Sequence, residues 1–165
     1  MKLSINHRFS FGVERYLEIF FDPDFADFVR ERIDVHEYRV ISLERGKTHI
    51  TRKTNIVPKV EVAPWLKRAL KSKPIAYLEE MSHEVGSSVI RQEILPSVAT
   101  KRIKISATIT LEPLGPNACT RRGDIEISVK IPGVGSKIEA ALAKSFSEGY
   151  EQGHLHMSQF DSPPL

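Results

Sequence analysis

Hydrophobic and polar residues alternate cleanly along two stretches in the second half of the chain. Over residues 102–111 and 123–131 every second position is apolar, with Ile105 and Ile109 in the first stretch and Ile127 and Val129 in the second. Such alternation is typical of a strand with one face buried and the other in water. The pattern predicts a first strand over 5–11 and four more over 35–44, 48–57, 74–85 and 87–95, with a bulge at Val40/Ile41.

Helical spacing of apolar residues occurs in three other places. Two short helices are predicted over 13–21 and 23–33, with Asp22 as the N-cap of the second. A long helix is predicted over 136–157, where Ser136 and Glu139 have the spacing of a capping box. The stripe of this helix that faces the sheet is predicted to consist of Ile138, Ala141, Leu142, Ser145, Phe146, Gly149, Gly153 and Met157, with Tyr150 beside it.

The order of these elements restricts the fold. One strand, two short helices, six strands and a long helix indicate an α+β protein in which a curved, seven-stranded antiparallel sheet wraps around the C-terminal helix. We expect a single domain over 1–160 and a flexible tail over 161–165. Because one helix laid across a concave sheet leaves a space beneath it, that space is the expected place for an apolar ligand.

Composition excludes several classes of protein. The chain has 165 residues and a single cysteine, Cys119, so it forms neither an internal disulfide nor a cysteine metal cluster. No apolar run approaches the roughly 20 residues that span a bilayer, and the first residues lack the apolar core of a signal peptide. These features favour a cytoplasmic protein. No metal site or cofactor is expected, since His154 and His156 are two residues apart and point to different faces of the last helix.

Positive charge is concentrated in one segment. Residues 45–74 contain nine basic residues and one acid, although the whole chain carries a net charge of only +3. We expect an anionic partner there, such as a membrane surface in transient contact, or alternatively a solvated loop without a partner. A nucleic acid is disfavoured because Trp65 is the only aromatic residue of the segment. The predicted surface contacts are Arg52, Lys53, Lys59, Lys67, Arg68 and Lys71.

The order of elements resembles the helix-grip fold of the START-like (SRPBCC, Bet v 1-like) superfamily over nearly the whole chain. A smaller set of residues is similar to the PRELI-like phospholipid-transfer proteins. Pro64 and Trp65 begin a short basic, amphipathic segment, and Tyr77 to Ser82 follow with the pattern Tyr-x-x-Glu-x-Ser. The resemblance implies a hydrophobic cavity under the long helix and a lid that opens at a membrane.

Three hypotheses about function remain open at this point. The first is non-enzymatic binding or transfer of a lipid or other hydrophobic small molecule in the cavity between the C-terminal helix and the sheet. The second is a small enzyme of the cyclase or hydrolase type that uses the same cavity. The third is a protein-binding domain whose interior is filled by side chains; the oligomeric state is left open. The predicted ligand-binding residues are Trp65, Leu66, Leu70, Tyr77, Ile105, Ile109, Ile127, Val129, Leu142, Phe146 and Tyr150.

Titratable residues offer two groups of candidates for chemistry. Four carboxylates lie on the predicted middle hairpin, at Glu79, Glu80, Glu84 and Glu93. Alternation places Glu79 on the same face as Met81 and opposite to Glu80, and no spacing marks an acid–base pair. We therefore expect ordinary surface charges and no catalytic residue among them. His7 and His83 are expected to face inward, each bonded to a backbone carbonyl group.

Overall fold

The computed structural model of the protein describes residues 1–59 and 76–162. The strands of this part of the chain are β1 (Lys2–Phe9), β2 (Val35–Arg45), β3 (His49–Pro58), β4 (Tyr77–Glu84), β5 (Val89–Pro96), β6 (Ile103–Pro113) and β7 (Cys119–Val129). Its helices are α1 (Val13–Phe20), α2 (Pro23–Arg30) and α3 (Gly135–Asp161). The predicted α+β helix-grip architecture is confirmed, with a curved seven-stranded sheet, two short helices after β1 and a long C-terminal helix.

All neighbouring strands of the sheet are antiparallel, in the order β1-β7-β6-β5-β4-β3-β2. The first strand therefore joins the last one, and β2 forms the opposite edge. The register between β2 and β3 shifts between Val40 and Ser42, so the bulge predicted from the phase change of the apolar residues is confirmed.

One face of the sheet carries buried residues on β1 and on β3 to β7, while β2 at the edge is only partly covered. On β6 and β7 the buried residues follow one another at every second position, as the alternation predicts. Ile90, Ile125 and Ile127 are almost completely buried there, and each contributes about 1.5–3 kcal/mol of hydrophobic free energy. The core of the protein thus lies between this face and the three helices.

The helices close the core from one side. The Asp22 carboxylate accepts a hydrogen bond of 2.9 Å from the backbone N–H of Asp24, so the predicted N-cap of α2 is confirmed. The ring of Phe160, near the end of α3, meets Phe25 and Phe28 of α2 edge to face, with centroids 5.2 and 5.4 Å apart. The long helix α3 packs against β7, β1, α1 and α2.

The start of α3 differs from the prediction. Val134 is its N-cap, and no side chain caps it, so the capping box is wrong. The Glu139 carboxylate instead accepts a hydrogen bond of 2.9 Å from the backbone N–H of Val129, which ties the helix to the end of β7. At the other end, the helix includes Asp161, the first residue of the predicted tail, whose carboxylate accepts from Arg15 Nε at 2.7 Å.

The buried stripe of α3 is also rotated relative to the prediction. Ala141, Ser145 and Gly149 are exposed, whereas Tyr150 and His156 are buried. The reason is that the second half of the helix packs against β1, β7 and the two short helices together, and these elements bury a different side of it. Within the described residues, no helix has the length and apolar character required to cross a bilayer.

Candidate ligand-binding site

A line of hydrogen bonds crosses the interior from α3 to the middle of the sheet. The Tyr150 hydroxyl donates to Gln92 Oε1 on β5 at 3.3 Å, and Gln92 Nε2 donates to Glu79 Oε2 on β4 at 2.6 Å. Glu79 lies opposite Ile94 in the ladder between β4 and β5, so Gln92 is its diagonal neighbour on the same face. We call these three side chains the interior polar line.

The position of Tyr150 depends on the absence of a side chain at Gly123. A Cβ atom built on Gly123 would collide with the tyrosine ring. Because β7 is bare at this point, the ring lies directly on the strand and its hydroxyl reaches β5. Gly123 is required here for its size and not for an unusual backbone conformation.

Glu79 is the unexpected residue of the site. Its side chain is only 12% exposed, whereas Glu80 is on the outer face, where it pairs with Lys53 at 2.8 Å. The prediction of a surface charge is therefore wrong for Glu79. The signal was present in the sequence, since alternation had already placed Glu79 on the same face as the buried Met81.

Burial controls the protonation of Glu79. It raises the pKa of the carboxyl group, and the nearby Arg52 charge and the Gln92 hydrogen bond oppose this only in part. Burial also raises the pKa values of the Tyr38 and Tyr77 phenols, so both stay neutral. Glu79 is thus protonated over a wider pH range than an ordinary glutamate, and a protonated carboxyl group can donate as well as accept a hydrogen bond.

Arg52 is buried beside Glu79. The prediction that it contacts a membrane surface is therefore wrong. Its side chain belongs to the inner face of β3, like that of Thr54, while Lys53 points outward. It is 6% exposed, and its Nη1 donates to the Phe20 carbonyl group at 2.6 Å. Arg52 Nη2 is 3.9 Å from Glu79 Oε1, too far for a hydrogen bond.

The other predicted surface cations have mixed outcomes. Lys53 and Lys59 are exposed, but each is already paired, with Glu80 and with Asp34. Lys67, Arg68 and Lys71 lie outside the described residues. Contact with an anionic surface therefore stays a prediction.

The predicted ligand-binding residues lie in one inward-facing cluster as far as the structure describes them. Five of them are buried in the core, namely Ile105, Ile109, Ile127, Val129 and Tyr150. Three are partly buried and pack against that core, namely Tyr77, Leu142 and Phe146. Trp65, Leu66 and Leu70 lie outside the described residues. The structure thus brings eight of the eleven together, and their role in binding stays a prediction.

A second buried network holds α3 on the sheet. Arg121 of β7 is 4% exposed, and its Nη2 donates to His7 Nδ1 at 2.8 Å and to the Tyr150 carbonyl group at 2.9 Å. Since Nδ1 accepts, His7 carries its proton on Nε2 and donates it to Glu151 at 2.8 Å. The predicted backbone partner of His7 is wrong, whereas His83 does bond to the Val89 carbonyl group, at 3.0 Å.

The same network explains a cluster that resembles a metal site. Ligating atoms of His7, Glu151 and His154 lie within 4.8 Å of one another. However, Arg121 occupies the second nitrogen of His7 as a donor, so Nε2 has no free lone pair, and the arginine charge repels a cation. The two imidazole rings are also stacked, with centroids 4.6 Å apart. These three residues fit a hydrogen-bond network better than a metal site.

A pocket of about 230 Å³ opens elsewhere, between α2 and the strands β2 and β3. Its wall includes Phe21, Ala26 and Val40, and Arg52 also lines it. None of the eight predicted ligand-binding residues that the structure describes contributes to this pocket. Arg52 connects it to the interior polar line, since its Nη2 is 3.9 Å from Glu79 Oε1.

Residues 4–160 match the family model described as "Protein of unknown function (DUF2505)". The chain belongs to this family. A search of curated proteins found no significant match. The DUF2505 description assigns no activity, so the function of the chain has to be argued from its own residues.

Solved structures share the fold at low sequence identity. TTHA0849 from Thermus thermophilus has a TM-score of 0.67 at 15% identity, covering 98% of this chain and 100% of that one. A START superfamily protein from Mycobacterium smegmatis has a TM-score of 0.62 at 11% identity, covering 96% and 98%. Norcoclaurine synthase from Thalictrum flavum, in complex with dopamine and hydroxybenzaldehyde, has a TM-score of 0.65 at 12% identity, covering 100% and 90%. The predicted START-like fold is confirmed, and such identities establish no more than the fold.

Proposed function

We propose that this DUF2505 protein binds a small, largely apolar molecule between α3 and the sheet, and that Glu79 recognises a polar group of that molecule. The observation that carries the proposal is the state of the Glu79 carboxyl group. One oxygen is held by Gln92, while the other has no hydrogen-bond partner among the described residues. The side chain as a whole is only 12% exposed, and the loss of solvent around it raises the pKa of the carboxyl group.

The surroundings of Glu79 suit a ligand with an apolar body. Met81, Ile94 and Ile105 are buried on the same inner face of the sheet. Because the interior polar line crosses from helix to sheet, a compact molecule with one polar end fits better than a long acyl chain. The complex of norcoclaurine synthase with dopamine and hydroxybenzaldehyde supports this choice, since both are small aromatic molecules with hydroxyl groups.

Replacement of Glu79 by an apolar residue is expected to remove most of the binding. We expect 4-hydroxybenzaldehyde to bind the wild-type protein in a calorimetric titration and to bind Glu79→Met at least about tenfold more weakly, because one hydrogen bond to the carboxyl group is lost. Glu80→Met is the matched control, since it changes the neighbouring outward-facing glutamate. Equal affinity of the two variants would contradict the proposal. So would the combination of two other results, namely native mass spectra of the purified protein that show only apo protein, and no uptake of small phenols.

A second function is favoured by the same residue. A buried carboxyl group with a raised pKa is suited to general acid–base catalysis, and it faces the interior where a substrate would bind. In this second candidate, Glu79 removes a proton from the carbon next to a carbonyl group and returns it. The alternative raised from the sequence, a small enzyme in the same cavity, thus gains a specific candidate residue.

Proton exchange separates catalysis from binding. If Glu79 acts as a base, the wild-type protein exchanges the methylene protons of phenylacetone in D₂O about 10²–10⁴-fold faster than buffer, as followed by NMR. Glu79→Gln keeps the shape and hydrogen bonding of the side chain but cannot transfer the proton, so exchange should return to the buffer rate. Glu80→Gln should exchange like the wild type. Exchange at the buffer rate in all three proteins would rule out the catalytic candidate and leave binding as the proposed function.

A further inference from the structure

We infer that the pocket between α2 and the strands β2 and β3 is a binding site for a small organic carboxylate, and that Arg52 holds the carboxylate. This is a separate site from the one proposed above, because none of the residues of the interior polar line contributes to the pocket. Three features of the pocket support this inference: the unsatisfied charge of Arg52, the pairing of the other two arginines, and the size and walls of the pocket.

Arg52 is a buried cation without an adequate partner. Its Nη1 donates to the Phe20 carbonyl group, and within residues 1–59 and 76–162 its Nη2 donates only to the sulfur of Met81, a weak acceptor, at 3.1 Å. Its Nε is buried and has no hydrogen-bond partner among the described residues. A buried guanidinium group normally faces a carboxylate with two of its N–H groups. Arg52 therefore lines an open pocket while one of its N–H groups is left without a partner in the described part of the chain.

The carboxyl group nearest to Arg52 does not form a hydrogen bond with it. Glu79 Oε1 is 3.9 Å away, and burial raises the pKa of Glu79. Whenever Glu79 is protonated, Arg52 has no ionised partner among the described residues. The Arg52–Glu79 contact is a loose ion pair without a hydrogen bond, and an anion that enters the pocket would give Arg52 a hydrogen-bonded partner.

The other two arginines at the pocket are already paired. Arg30 lies 3.1 Å from Asp27, and Arg39 lies 3.1 Å from Glu37. The Asp22 carboxylate accepts the backbone N–H of Asp24 as the helix cap. Since the acids of the pocket disfavour a doubly charged phosphate, the demand for an anion comes from Arg52 alone and is for a single charge.

The size and walls of the pocket suit an apolar acid. Its volume of about 230 Å³ is below the range of roughly 300–1,000 Å³ that is typical of sites for drug-sized ligands. Phe21, Pro23, Ala26, Val40 and Leu43 provide apolar surface around Arg52. The fork of an arginine matches a planar carboxylate through two parallel hydrogen bonds. A single-ring aromatic or short branched acid meets these conditions.

A titration of the wild-type protein with benzoate tests the assignment without any substitution. In ¹H–¹³C NMR spectra we expect benzoate to shift the methyl signals of Ala26 and Val40, which line the pocket. Benzamide has the same shape but no charge, and it should bind at least about tenfold more weakly, as expected for the loss of a charge-assisted hydrogen bond. Inorganic phosphate should also bind more weakly than benzoate.

Two variants then locate the contact. Arg52→Lys keeps the charge and loses the fork, and its benzoate affinity should fall at least about tenfold. Arg122→Gln removes an exposed arginine that pairs with Asp124 and does not line the pocket, and it should keep nearly the wild-type affinity. Equal binding of benzoate and benzamide overturns the inference. Phosphate binding as tight as that of benzoate would also overturn it, and so would wild-type affinity in a folded Arg52→Lys variant. A third contrary result is a set of NMR shifts confined to interior methyl groups, such as those of Ile105 and Ile127. The last result would leave the proposed interior site standing without the pocket.

Discussion

Arg121→Met should lower the free energy of unfolding by about 3 kcal/mol, the largest loss we expect from a single substitution outside the apolar core. Methionine replaces the aliphatic stem but offers no donor to His7 Nδ1 or to the Tyr150 carbonyl group. His7 Nδ1 then stays buried without a donor, and the Tyr150 carbonyl group loses its bond to β7. The guanidinium group also lies over the rings of Phe9 and Tyr150, at 5.4 and 5.1 Å from their centroids, and these contacts are lost as well.

Urea unfolding followed by circular dichroism measures this loss. Arg122→Met is the matched control, because the neighbouring arginine is exposed on the outer face and pairs with Asp124; it should change stability by less than about 0.5 kcal/mol. Buried charges are sometimes replaced by apolar residues at a gain in stability. An Arg121→Met protein as stable as the wild type would therefore show that this network does not hold α3 on the sheet.

Acidification from neutral pH should destabilise the protein through His7. Burial and the Arg121 charge lower the pKa of His7, while Glu151 opposes the change only in part. The unfolded state then binds more protons than the folded state, so stability is complete above the unfolded pKa of about 6.5 and is lost as the pH falls through the folded pKa. The structural reason is that a proton on Nδ1 would point at the donor group of Arg121.

Comparison of pH profiles isolates this effect. The slope of unfolding free energy against pH should be shallower for His7→Asn, whose side-chain oxygen can accept from Arg121 without titrating. His36→Asn, at an exposed position of β2, should keep the wild-type slope. His156 has a lowered pKa from burial and from Arg32, so some slope should remain in His7→Asn. Glu79 acts in the opposite direction, because its raised pKa makes acid stabilising. Identical slopes in all three proteins would rule out His7 as the titrating group.

The two buried networks meet at Tyr150. Its carbonyl group accepts from Arg121, and its hydroxyl group donates to Gln92, which in turn holds Glu79. The network that docks α3 thus also positions one end of the interior polar line. For this reason Arg121→Met is expected to weaken ligand binding even where the protein stays folded, and the binding variants at Glu79 have to be compared at matched stability.

Local patterns were sufficient to predict the architecture. The two-residue period over β6 and β7 and the bulge of β2 depend on which face each residue takes, and this is a property of the strand itself. The N-cap at Asp22 depends on atoms two residues apart. Because these features involve neighbours along the chain, the sequence determined the strands, the short helices and the class of fold.

The chemistry of the interior was decided by tertiary structure. Glu79 and Arg52 were assigned to the surface because charged side chains are usually solvated. Each nevertheless occupies an inward-facing position in the alternation of its strand. Glu139 left the capping box to bond to β7, and Tyr150 lies over Gly123 from a helix far away in sequence. Charged groups, helix-capping groups and aromatic rings contact partners that are far away in sequence, and the periodicity of the sequence does not predict such contacts. The periodicity of the chain therefore determined where its backbone runs, and only the packing of α3 against the sheet decided which polar groups meet inside.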